Sequence, residues 1–339
     1  MKKVSLHDIS QSLNISKGTI SLVLNGRGDE KRVSKTTQEK IIKYAEEHNY
    51  KANHLARGLS LGKSEMIGLV VPNISDSFYA RIARRIEKRA EQLQYNVVFS
   101  STGESKESES KLIQNMLDRQ VDGLIIATCQ KNSKDILRLK KSNVPFVLID
   151  RHYPEIETNF VGMDNVGGIA LAVEQLIRNG KKRIAFISLT DALEPLRERL
   201  ESYIQTMKKH KLAFDDDFIQ KLDYENIETD MYNVIEKLLH SPYNVEGIVF
   251  ATHFLAAQGL RELKKMNIRV PSELAIVSYG QMNAFDITEP PLTSISLPSD
   301  EIGDKAVEIL LRCMKEKLNK NERVILETSL IVRKSCGAQ

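Results

Sequence analysis

Cysteine is scarce. The 339-residue chain has three, Cys129, Cys313 and Cys336, an odd number far apart in sequence. That excludes a disulfide framework, and no zinc-ligand spacing runs through them, so they read as reduced, mostly buried thiols. No apolar run approaches the length that spans a bilayer, which excludes a chain threaded through a membrane by helices. An apolar leader is also missing: Lys2, Lys3, Asp8 and Gln11 keep the first residues polar, and a cytoplasmic protein is expected. There is no Gly-rich phosphate loop of the P-loop type and no Gly-x-Ser-x-Gly elbow, so the sequence marks of the commoner nucleotide-binding and hydrolytic enzymes are absent.

What remains is an ordinary globular composition, 41% hydrophobic and 28% charged, long enough for two or three domains. The net charge of +4 is unevenly spread. Residues 1–60 hold 11 lysines and arginines against 6 acidic residues, a net of +5, while the rest of the chain nets −1. A positive end of this kind is the electrostatic footprint of a nucleic-acid-binding module.

The first residues explain where that charge belongs. Ser5 is placed to cap a helix, with Asp8 three residues on as the return half of a capping box. Ile9 and Leu13 share one face, and Asn14-Ile15-Ser16 breaks the pattern, with Ser16 placed to cap a second helix. Ile20, Val23 and Leu24 give that helix an apolar face, and Asn25-Gly26 ends it. A third helix, from Ser34 to His48, supplies the missing cover through Ile41, Ile42 and Ala45. Between them, Arg27 to Arg32 reads as a polar connection with nothing to bury. The unit is a helix-turn-helix whose second helix carries Ser16, Lys17, Gly18, Thr19, Ser21, Leu22 and Asn25 toward a DNA major groove.

Beyond a linker near Gly62 the pattern changes to short apolar runs alternating with amphipathic helices. Strands are expected over Ile67 to Val71, Asn96 to Phe99, Gly123 to Ala127 and Pro145 to Ile149, then over Arg183 to Ile187, Gly247 to Phe250 and Leu274 to Tyr279. Helices are expected between them, among them Phe78 to Leu93, Asp164 to Asn179, Glu198 to His210 and Ser299 to Lys317. Two short β stretches, Val324 to Glu327 and Ser329 to Val332, close the chain. Two parallel α/β units in tandem would face each other across a cleft, where ligands of such sheets bind.

These residues together resemble the LacI/GalR family of bacterial transcription regulators over nearly the whole chain. The head carries the resemblance in Asp8-Ile9, Ser16, Thr19-Ile20-Ser21, Val23-Leu24-Asn25-Gly26, Val33-Ser34 and Asn49-Tyr50. The core carries it in Ile67-Gly68-Leu69-Val70-Val71-Pro72, Val121-Asp122-Gly123, Asp164-Asn165 with Gly167-Gly168, and Pro290-Pro291-Leu292-Thr293. The resemblance implies an all-α head at residues 1–50, a hinge helix and linker at 51–64, and a two-subdomain α/β core like that of periplasmic binding proteins, with parallel sheets. Its first subdomain would comprise 65–163 plus about 294–322, and its second 164–293 plus about 323–339. It also implies a homodimer on pseudo-palindromic double-stranded operator DNA, controlled by a small effector, a sugar or sugar derivative, with no cofactor, metal or membrane partner. In the hinge, Asn53, Ala56 and Arg57 would lie near the groove, and Leu59 would be the wedge at a base step. The tail, Arg333 to Gln339, has no leucine heptads, so no tetramer is expected.

Departures from the family shape the expected readout. Leu22 stands where a polar side chain is usual and offers only methyl contacts, and Gly18 offers none, which leaves Lys17 as the donor to guanine. Asp29-Glu30-Lys31 looks like a small insertion, and Gly58 inside the hinge costs about 1 kcal/mol relative to alanine. By resemblance the effector contacts are Phe78, Tyr79, Asp150 and Arg151 from the first subdomain and Asp164, Arg199 and His253 from the second. Phe78 and Tyr79 also fit ordinary helix core, Asp150-Arg151 an exposed turn, Arg199 a surface arginine beside Arg197, and His253 a structural histidine. Gly280 replaces the family's usual aspartate, with Gln281 next to it as substitute. That loss suggests an anionic effector held by Arg151 and Arg199. The competing classes are an enzyme, a cytoplasmic sugar sensor without a specific DNA role, an architectural DNA protein, and a corepressor-dependent or activating regulator.

Overall fold

The computed structural model describes residues 4–48, 50, 63–190, 193–212, 216–315 and 320–338. The chain divides into two compact units, Met1–Ser64 and Glu65–Gln339. The hinge residues Asn53, Ala56, Arg57 and Leu59, with Gly58, lie outside the described residues.

The first unit has three helices, α1 (Leu6–Leu13), α2 (Lys17–Leu24) and α3 (Lys35–Glu47). The capping box is complete: the Ser5 hydroxyl accepts from the Asp8 N–H at 3.3 Å while Asp8 Oδ2 accepts from the Ser5 N–H at 2.8 Å. Asn14 turns the chain in the left-handed region, φ 52°, which asparagine tolerates. Ile9, Ile20 and Ile41 are fully buried around one small core with Val23. Ile42 points the other way, to solvent: it sits about 100° round the helix from Ile41 and cannot share its face. The connection at Arg27–Arg32 is not merely polar. Gly28 is buried, and Asp29 accepts from Lys35 Nζ and Gln38 Nε2, both at 2.8 Å, which knots the loop onto α3.

The second unit holds two six-stranded sheets. The first is built from β1 (Met66–Val71), β2 (Asn96–Ser101), β3 (Gly123–Ile126), β4 (Phe146–Ile149), β5 (Phe160–Met163) and β11 (Arg323–Leu326), in the order β11-β5-β4-β3-β1-β2, all parallel. The second is built from β6 (Ile184–Leu189), β7 (Ile219–Leu222), β8 (Gly247–Phe250), β9 (Ala275–Tyr279), β10 (Ser294–Ser296) and β12 (Ser329–Ile331), in the order β12-β10-β9-β8-β6-β7, with only β12 antiparallel. Central strands such as β3, β4 and β8 are buried along their length, as parallel strands covered on both faces must be.

The helices that cover them are α4 (Ser77–Glu91), α5 (Lys106–Asp118), α6 (Lys134–Lys141), α7 (Asn165–Arg178), α8 (Glu194–Lys209), α9 (Ile227–Leu239), α10 (His253–Lys265) and α11 (Ser299–Lys315). α11 packs on α4 and on β3, β4 and β5, so the last long helix returns to the first lobe. The chain therefore crosses between lobes after β5, after β10 and after β11. The second and third crossings differ from the expected boundaries at 294 and 323: β10 belongs to the second sheet and β11 to the first. α8 also starts at Glu194, not Glu198, because Pro195 fits a first helical turn, where its missing N–H costs nothing.

Candidate functional site

On the head, α2 buries Ile20 and Val23 and leaves Lys17 and Gly18 exposed at its start, with Ser21 and Leu22 half-buried beyond. Ser16 is occupied as a cap: its hydroxyl accepts from the Thr19 N–H at 3.1 Å and lies 2.9 Å from the Thr19 hydroxyl. Asn25 folds back, its Nδ2 donating to the Ser21 carbonyl at 2.7 Å. Several polar side chains of the expected reading face thus hold the helix itself. Lys17 is the exposed cation at its N-terminal end.

In the second unit the two lobes enclose a cleft of about 1110 Å³. Its walls come from the loops after β1, β2, β3, β4, β6, β7, β8, β9 and β10, all at carboxyl ends of strands. Phe78, Tyr79, Asp150, Arg151, Arg199 and His253 line it. Asp164 and Gln281 do not. Asp164 is the cap of α7, accepting from the Gly167 N–H at 2.8 Å, and a Cβ on Gly167 would meet its carboxylate. Gln281 offers its backbone carbonyl to Arg81 Nη2 at 3.3 Å.

The first wall centres on Arg151. Its guanidinium takes Glu104 in a two-pronged pair, Nη1 to Oε2 at 2.7 Å and Nη2 to Oε1 at 2.8 Å, and Nε lies 3.7 Å from Asp150 Oδ2. Burial works against the Arg151 charge, but Tyr79, Glu104 and Asp150 outweigh it and raise its pKa. The Tyr79 hydroxyl donates to Asp150 Oδ2 at 2.6 Å. Burial pushes the Asp150 carboxyl up, against the pull of Arg151 and Arg199, and pushes the Tyr79 phenol well up. Asp150 itself sits at φ 61°, the bend that turns the strand end into the cleft.

The second wall centres on Arg199, which α8 carries inward while Arg197 stays exposed against Glu194. Arg199 Nε donates to Asn165 Oδ1 at 2.9 Å and Nη1 to the Ala251 carbonyl at 3.0 Å. The guanidinium carbon lies 4.0 Å over the Tyr279 ring, a cation–π seat, and the Tyr279 hydroxyl donates to the same Asn165 oxygen at 2.9 Å. At the cleft edge Tyr224 and Phe254 stack, centroids 5.6 Å apart, and both are exposed.

His253 bridges the lobes: its Nε2 lies 3.2 Å from Oδ1 of Asp76, the cap of α4. Burial works to raise the Asp76 carboxyl, but His253 and the Phe78 N–H hold it below its ordinary value. Gly280 explains why His253 fits. It has φ +84°, and a Cβ there would lie 3.1 Å from His253 Nδ1 and 3.3 Å from Leu297. A side chain at 280 and the imidazole compete for one space.

Sequence reasoning missed Asp76, Glu104, Thr102, Asn165, Tyr224 and Tyr279. All but Asn165 line the cleft, and Asn165 aligns the arginine and tyrosine that do. Each of the liners lies in or beside the carboxyl end of a strand or the loop that follows, so a list of every residue at those ends would have held them.

Among the described residues no helix is long and apolar enough to cross a membrane, and no cluster of His, Cys, Asp and Glu is arranged to hold a metal ion. Residues 5–53 match the family described as bacterial regulatory proteins, lacI family, and residues 173–336 match the periplasmic binding protein-like domain. Catabolite control protein A of Priestia megaterium is 30% identical over 98% of this chain and 99% of its own length. A ribose operon repressor of Halalkalibacterium halodurans is 29% identical over 98% and 96%. The lac repressor dimer bound to operator and the anti-inducer ONPF shares the fold, with a TM-score of 0.86 at 24% identity over 99% of this chain and all of that one.

Proposed function

The chain belongs to the LacI family of bacterial regulatory proteins, and on that premise we propose that it is a homodimeric repressor whose grip on one pseudo-palindromic duplex is set by a small carbohydrate in the cleft. The observation that carries this reading is the pairing, in one chain, of a groove-reading helix with a cleft that joins aromatic faces to paired carboxylates and guanidinia. Aromatic faces suit the apolar side of a sugar ring, and carboxylate and guanidinium groups fork its hydroxyls. The names of the relatives, a catabolite control protein and a ribose operon repressor, point the same way. On this reading the protein works in the cytoplasm, needs no cofactor and catalyses no reaction. Arg199 is held at its place by Asn165, Tyr279 and the Ala251 carbonyl, so it meets a ligand already oriented.

The test is operator selection from random duplex with the purified protein, followed by a carbohydrate screen for release. A selected site should be preferred over random duplex by at least about a thousandfold, and one sugar class should change that affinity. Equal binding to all duplexes overturns the regulator reading. A selected operator whose affinity no sugar alters overturns the carbohydrate reading alone.

A further inference from the structure

Arg151 is the cleft's natural seat for an anion, yet that seat is taken. Glu104 fills both prongs of its fork at 2.7 and 2.8 Å, and the third nitrogen faces Asp150 at 3.7 Å. The other cations are engaged too: Lys131 Nζ donates to the Glu104 carbonyl at 3.0 Å, and Arg199 holds Asn165, Ala251 and the Tyr279 face. Five carboxylates line the cleft, Asp76, Glu104, Asp150, Asp223 and Glu225, against the three cations Lys131, Arg151 and Arg199. A phosphate or carboxylate entering here would have to break two charge-assisted bonds and leave Glu104 without its counter-charge.

The same wall holds groups that await a different partner. The Ser77 and Thr102 hydroxyl oxygens are buried, line the cleft and have no hydrogen-bond partner among the described residues; Thr102 is 3% exposed. An unmet buried hydroxyl is costly, and a ligand hydroxyl, both donor and acceptor, satisfies it. Resting on the carbohydrate reading of the cleft, we infer that Glu104 is a built-in charge filter: by occupying the Arg151 fork it makes the cleft select an uncharged, hydroxyl-rich ligand and reject phosphorylated or carboxylated ones. This reverses the anionic effector that the missing aspartate at Gly280 suggested; Gly280 instead makes room for His253.

Inorganic phosphate is the first probe, because it needs no knowledge of the ligand. At constant ionic strength, thermal melting of the wild-type protein should be indifferent to phosphate. Glu104→Gln should gain saturable stabilisation, and Glu104→Gln with Arg151→Gln should lose it again. Saturable phosphate binding by the wild type that Arg151→Gln abolishes, or a folded Glu104→Gln protein that gains none, overturns the inference. A wild-type arm covers a variant that fails to fold: ribose against ribose 5-phosphate and glucose against glucose 6-phosphate, by calorimetry. Each phosphorylated member should bind at least about tenfold more weakly than its parent; one that binds more tightly overturns the filter. If no sugar of either kind acts on the protein, the carbohydrate reading falls, and the phosphate arm alone decides whether Glu104 excludes anions.

Discussion

Two buried residues, Arg199 and His152, serve opposite ends. Arg199 is 7% exposed and held from behind through Nε, Nη1 and the Tyr279 ring, so its loss should remove ligand binding without unfolding the lobe. Arg199→Ala is expected to weaken effector affinity by about 2–4 kcal/mol, read by calorimetry, while operator affinity in the absence of effector stays within about twofold of wild type. His152 is a liability. Its ring stacks on Phe160 at 4.3 Å, its Nε2 is buried without a partner among the described residues, and burial, with Arg323 nearby, lowers its pKa from 6.5 to about 4. Between those values the unfolded chain binds a proton that the folded protein refuses, so stability falls as pH drops from 6.5 toward 4, by up to about 3 kcal/mol. Urea midpoints across that range should show the loss, and His152→Leu should flatten it. At this scale the sequence is legible where a side chain must leave its own element. Phe78 and Tyr79 satisfy two readings together, since both belong to the buried core and line the cleft. Asp164 and Gln281 stand off the cleft lining, Asp164 as the cap of α7 and Gln281 with its backbone carbonyl against Arg81, because caps and loops use the same polar residues as a ligand site.

Helices announced themselves more clearly than strands. The caps at Ser5 and Ser16 stand where the sequence put them, because the side-chain oxygen and the N–H it accepts lie three residues apart, whatever the tertiary context, and Ser34 caps α3 in the same way. Ser34→Ala should cost about 1 kcal/mol, seen as earlier melting of the head with the second unit unchanged, because α3 carries Ile41 into a core that has four buried residues among those described. Three strands went unread: β7 and β10 lack the apolar run that marks their neighbours, while β5 is apolar and buried throughout but carries a glycine inside it. β5 contains Gly162, where a Cβ would strike the Phe160 ring; β7 is an edge strand with one buried residue, Leu222; β10 is three residues, two of them serine. Strands such as β7 and β10 are held by their neighbours' hydrogen bonds more than by their own composition. Ile42 was placed inward because it adjoins Ile41, although a helix cannot bury both on one narrow face.

For the molecule as a whole, the two ligands call on different physics. DNA is met by the head, whose charge is +5 over residues 1–60, and each phosphate neutralised steepens the salt dependence by about 0.9 in the logarithmic slope. Operator affinity should fall about tenfold or more for each doubling of salt. Carbohydrate affinity, if Glu104 keeps charge out, should move less than about twofold over the same range, because a neutral ligand releases no ions. Filter binding and calorimetry in one salt series check both. The overall plan of head, cleft and tandem sheets was legible because strand and helix alternate regularly; the exchange of β10 and β11 was not, because nothing local tells a short strand which of two similar sheets it will join. That exchange has a consequence during synthesis. β11 closes the β5 edge, and α11 covers β3, β4 and β5, so the first lobe lacks a strand and a major helix until residue 326 has left the ribosome. The second lobe waits for β12, only a few residues later. Neither half ripens ahead of the other. The nascent chain stays unfinished in both lobes until β11 and β12, a few residues apart, have both emerged.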